Sequence, residues 1–91
     1  MMIVKERVDI NKEKQKPYLN ELREQADQLS DEWMAYVGIS LNHEPCIYIE
    51  RDGDRVRVLI MNSSPEFVVR SAIFFAKKRG RNRPEIPDSS I

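Results

Sequence analysis

The 91-residue chain balances 15 basic against 15 acidic side chains, so no whole-molecule field draws it toward nucleic acid, an anionic membrane or a strongly charged partner. Its length suits one small domain, because cores below roughly 60 to 80 residues are already marginal. A lone cysteine, Cys46, rules out an intramolecular disulfide and fits a reducing compartment.

The first residues, Met1 to Val4, meet charge at Lys5 and Glu6, which is too short an apolar run for a signal-peptide core or a membrane span. Without a secretory signal the sequon match Asn62-Ser63-Ser64 is discounted, and a soluble cytoplasmic protein is expected. Met2, Val4, Val8 and Ile10 alternate with Ile3, Lys5, Arg7 and Asp9, interrupted by Glu6, which predicts a short N-terminal strand. Asn11 to Lys16 is polar and reads as a connector, with Pro17 in the first turn of a helix where its missing N–H costs nothing. Leu19, Leu22, Ala26, Leu29, Trp33, Tyr36 and Val37 recur every three or four residues and predict one long helix ending near Gly38. Val37, Ile39 and Leu41 also alternate, so Tyr36 to Leu41 has a second reading as a strand.

Cys46 to Met61 predicts a β-hairpin centred on Asp52-Gly53, the residue pair that tolerates positive φ in the turn matching strand twist. The implied register sets Arg51 opposite Asp54, Glu50 opposite Arg55, Ile49 opposite Val56, Tyr48 opposite Arg57 and Ile47 opposite Val58. Ile47, Ile49, Val56, Val58 and Ile60 then share a core face. Tyr48, Glu50, Arg55 and Arg57 share the other, expected to be wet, with Glu50–Arg55 as an ion pair and Tyr48–Arg57 as a cation–π pair. Ser64, Pro65 and Glu66 form a helix start, and the helix to Lys78 is apolar on more than one stripe, so it wants two neighbours. Gly80 is its expected stop, and residues 81-91 a flexible tail beyond a domain of residues 1-80.

The expected fold is a small α+β domain, helix–β-hairpin–helix (αββα) with an extra N-terminal strand. A helix of some 20 residues would run about 30 Å against strands of about 20 Å, and a two-stranded sheet is marginal alone. Together with surplus apolar residues on the last helix these point to a homodimer. Leu19, Leu22, Trp33, Phe74 and Phe75 are the candidate dimer or partner surface.

The chemistry-bearing groups are sparse. Lys77, Lys78, Arg79, Arg81 and Arg83 crowd seven positions and could neutralise phosphates, with Arg55, Arg57 and Tyr48 extending the patch by a stacking ring; the same charges equally suit a helix C-terminus or an acidic surface such as Glu21, Glu24, Asp27, Asp31 and Glu32. His43 and Cys46 have zinc-ligand spacing but lack a second pair, and Glu50, Asp52 and Asp54 lack the rest of a calcium loop, so no metal is expected. Gly38, Gly53 and Gly80 stand singly and form no phosphate loop, and no catalytic set or cofactor site is expected. The sequence therefore favours a non-catalytic regulator, inhibitor or adaptor acting through a protein partner. Nucleic-acid binding through the basic helix end is the alternative, and a small enzyme comes third.

Overall fold

The computed structural model describes residues 1–61 and 63–81, excepting the side chains of Gly80 and Arg81. In chain order the elements are β1 (Ile3–Val4), α1 (Lys12–Glu24), a 3-10 turn (Ala26–Gln28), β2 (Met34–Ile39), β3 (Pro45–Arg51), β4 (Asp54–Leu59) and α2 (Pro65–Arg81). The four strands form one sheet in sequence order, with β1 parallel to β2 and the remaining pairs antiparallel. The fold is thus α+β, as expected, but the hairpin is only half of a mixed four-stranded sheet.

The β3–β4 hairpin has the register derived from the sequence, from Ile47 opposite Val58 to Arg51 opposite Asp54. Asp52 and Gly53 take φ of 34° and 91°, the positive values the two-residue turn demands. On the inner face Ile47, Ile49 and Val56 are buried, and Val58 and Ile60 pack partly buried against them.

The long first helix does not form. Asn11 caps α1 by accepting hydrogen bonds from the Glu13 and Lys14 backbone N–H groups, at 2.9 and 3.4 Å, so the helix starts within the stretch read as a connector. Pro17 consequently sits inside the helix, on its exposed side, where the carbonyl it leaves unpaired can face water. The helix ends at Glu24, and Leu29 is already extended. Leu19, Leu22, Ala26, Leu29 and Trp33 are all buried, because turn and loop keep presenting them to one core. From Met34 the period becomes two, with Ala35 and Val37 buried and Met34 and Tyr36 half-buried. The strand reading of the segment near Ile39 is the one that holds, and β2 is a central strand between β1 and β3.

The N-terminal strand is present but only two residues long, with Met2 in the core and Val8 exposed. Ser64 caps α2 by accepting from the Phe67 N–H at 3.2 Å. The helix then passes through Gly80, the expected stop, to Arg81. Both helices pack on the inner face and against each other, where Val68, Val69, Ala72, Ile73 and Ala76 of α2 meet the apolar sheet residues. Among the described residues no helix is long and apolar enough to cross a membrane.

Candidate interaction surfaces

The outer face of the sheet is less wet than the hairpin alone implies. Tyr48 is only 6% exposed, because β2 places Gly38 under its ring and Tyr36 beside it, the two rings stacking 5.2 Å apart. The cation over Tyr48 is Arg55, at 4.8 Å from the ring centroid, rather than the directly opposed Arg57. The Arg7 guanidinium lies 6.0 Å from the Tyr36 centroid and is held there by hydrogen bonds to Asp9.

At the centre of this face the Tyr36 hydroxyl donates to Glu50 Oε2 and accepts from Arg55 Nη2 at 3.2 Å, while Arg55 and Glu50 approach to 3.7 Å. Burial of the phenol, then its bond to the Glu50 carboxylate, raises the Tyr36 pKa against the opposing pull of Arg55. The phenol is therefore neutral at neutral pH and is no base there. Beside it a shallow pocket of about 350 Å³ is lined by Lys5, Glu6, Arg7, Met34, Tyr36 and Glu50, with its charges of both signs.

Cys46 is fully buried on the same face, its thiol directed at the Glu44 carbonyl 3.4 Å away, while His43 is exposed in the turn at φ 62°. Among the described residues no three His, Cys, Asp or Glu side chains cluster around a common metal position.

The basic helix end does not join the basic sheet face. Lys77, Lys78 and Arg79 are exposed on α2, which covers the inner face, whereas Arg55 and Arg57 project from the outer one. Lys77 Nζ donates to Gln28 Oε1 at 2.6 Å, Arg79 comes within 3.9 Å of Asp54, and Lys78 lies 5.6 Å from the Phe74 ring. Of the acidic set Glu21, Glu24, Asp27, Asp31 and Glu32, it is Glu32 that reaches an arginine among the described residues, 3.8 Å from Arg51, whose guanidinium stacks 4.4 Å over Trp33. Arg83 and the Arg81 side chain lie outside the described residues.

The proposed partner surface divides in the same way. Leu19, Leu22 and Trp33 are buried and fill the space between helices and sheet, which leaves them nothing to offer a partner. Phe74 and Phe75 are 57% and 48% exposed, and Phe67, on the same helix but outside the expected surface, is 63% exposed. Helical spacing sets the three rings within an arc of about 100° around Ser71. Ser71 lines, with Phe67, Phe74, Phe75, Glu66 and Arg70, an open trough of about 470 Å³. Phe67 and Phe75 also line a second groove, of about 430 Å³, that continues over Leu59 and Met61 beside the edge strand β4. The signal for this surface is the spacing of Phe67, Ser71 and Phe75 at i, i+4 and i+8, on the side away from the buried Val68, Ala72, Ile73 and Ala76.

The chain matches no protein-family model, no curated protein and no solved structure.

Proposed function

We propose that this is a small non-catalytic binding protein, a regulator, inhibitor or adaptor, that acts by docking a protein on the outer face of α2. The observation that carries the reading is the cluster of Phe67, Phe74 and Phe75, at least 48% exposed on a helix whose opposite side is core. At about 200 Å² per ring the three leave roughly 300 Å² of aromatic surface in water, and Leu59 and Met61 extend it toward 500 Å², the upper end of what a monomer carries. Aromatic side chains are the anchors that dominate protein interfaces.

Nucleic-acid binding has weaker support. Lys77, Lys78 and Arg79 are accessible, but Tyr48 is too buried to stack a base, and the two basic clusters lie on opposite sides of the sheet. Affinity capture from the native lysate, with and without nuclease, separates the readings. A protein partner retained after nuclease treatment by the parent, and lost by a Phe74→Asp/Phe75→Asp variant, supports docking on α2. Partners that all disappear with nuclease favour the alternative.

A further inference from the structure

We infer that the occupant of the α2 face is a second copy of this chain, its α2 running antiparallel to the first and crossing it at Ser71; this rests on the reading of that face as a protein-docking surface. The face is self-complementary under a two-fold axis. Phe67 lies four residues before Ser71 and Phe75 four after it, so each is about 6 Å along the helix from the crossing point. An antiparallel partner therefore brings its own Phe74 and Phe75 to the level of Phe67, and the relation is reciprocal, as an isologous interface requires. Two equivalent three-ring clusters form, one on either side of the crossing. Between them the small, half-buried Ser71 leaves the trough of about 470 Å³ into which a ring from the facing helix can enter.

Charge favours the same direction. Glu66 is paired with Arg70 of its own helix at 3.0 Å and Lys77 with Gln28, so the cation left on the ring face is Lys78, seven residues after Ser71 and 5.6 Å from the Phe74 ring. A parallel pair would set Lys78 against its own copy, whereas the antiparallel pair carries the two lysines to opposite ends of the interface. Like charges facing each other are unfavourable.

The edge strand is the poorer route to the same end. Ile60 N–H points inward to the Pro45 carbonyl, so by alternation Arg55, Arg57 and Leu59 turn their backbone groups outward. Pairing two β4 edges there would bring the Arg55 and Arg57 side chains of the two copies close together, and charged residues on an edge are what keep sheets from joining. Two copies of the patch of about 500 Å² that the three rings make with Leu59 and Met61 reach the roughly 1,000 Å² that a specific interface must clear.

The test uses the full chain. Cysteine introduced by Ser71→Cys would lie on the two-fold axis, and a disulfide requires Cα atoms closer than about 7 Å. Under mild oxidation Ser71→Cys should form a covalent dimer at least about tenfold faster than an exposed control, Arg57→Cys, on the opposite face of the sheet, because association raises the local thiol concentration. The native Cys46 is buried and should stay silent. Phe67→Asp, at an exposed position, should remove the rate advantage when combined with Ser71→Cys and leave the melting transition of the monomer cooperative.

Equal rates for Ser71→Cys and Arg57→Cys overturn the inference. A photo-crosslinking p-benzoylphenylalanine at position 74, used in the native lysate, then tells which claim has failed. An adduct made only with another protein removes the second copy and leaves α2 as a docking face, and no adduct of any kind removes both.

Discussion

Replacing Gly38 by Ala probes how tightly the outer sheet face is built. A Cβ on Gly38 would stand 2.6 and 2.7 Å from Cε2 and Cδ2 of Tyr48, closer than carbon atoms approach without displacement. The ring has little room to retreat, since Tyr36 stacks on it and the Arg55 guanidinium lies 4.8 Å from its centroid. Overpacking of this kind costs about 1 to 3 kcal/mol. Gly38 is not among the positive-φ residues, so alanine suits its backbone and recovers roughly 0.4 to 1 kcal/mol through the unfolded chain. The net expectation is a loss of about 1 to 2 kcal/mol, or a fall in Tm of about 4 to 16 °C for a domain of this size. Thermal and denaturant melts should be run on Gly38→Ala in the parent and in a Tyr48→Ala background. If the clash is the cause, the penalty vanishes or reverses once the ring is gone. An equal penalty in both backgrounds would refute the reasoning, and so would no penalty in the parent.

The hairpin faces predict that Val58→Ala, which removes methyl groups packed against the core, costs about 1 to 2 kcal/mol in denaturant melts, while Arg57→Ala next to it costs under about 0.5. Equal losses would contradict the assigned faces. Asn11→Ala should lower stability by about 1 kcal/mol through loss of the α1 cap, with Asn11→Asp close to neutral. Because the Tyr36 pKa is raised in the fold, its contribution is complete below the unfolded value near 10 and is lost as pH rises through the folded one. Melts across alkaline pH should therefore show a decline in stability that Tyr36→Phe reduces, and an unchanged slope would count against the burial and the Glu50 bond that together raise the Tyr36 pKa.

The parts legible in the sequence are those whose determinants are close together along the chain. Asp52-Gly53 and the alternation on either side of it both specify one register, so the β3–β4 hairpin could be written out residue by residue. The start of α2 was equally local, in Ser64, Pro65 and Glu66. Trp33, Tyr36 and Val37 misled because their spacing satisfies a helix while Ala35, Val37 and Ile39 satisfy a strand, and the choice is made by pairing with Cys46 to Glu50, eight to sixteen residues away. The shortened α1 removes the helix overhang from the case for association, and the four-stranded sheet removes the isolated hairpin. What survives is the surplus of phenylalanines on α2. Tyr48 was expected in water for the same reason that β2 was missed: the residues that cover it, Gly38 beneath and Tyr36 beside, come from that strand. Phe67 and Ser71 escaped notice as surface residues because the helix is apolar nearly all round, and only the position of the sheet decides which stripe stays outside.

Sedimentation equilibrium of the parent chain across a micromolar concentration series tests the central claim most directly, since association through α2 must appear as mass. Twice the chain mass at the upper concentrations, falling to one chain mass in Phe67→Asp or Phe75→Asp while the folded domain persists, is the result predicted. A single chain mass for the parent up to about 100 µM, where even a weak specific dimer would be populated, would contradict it.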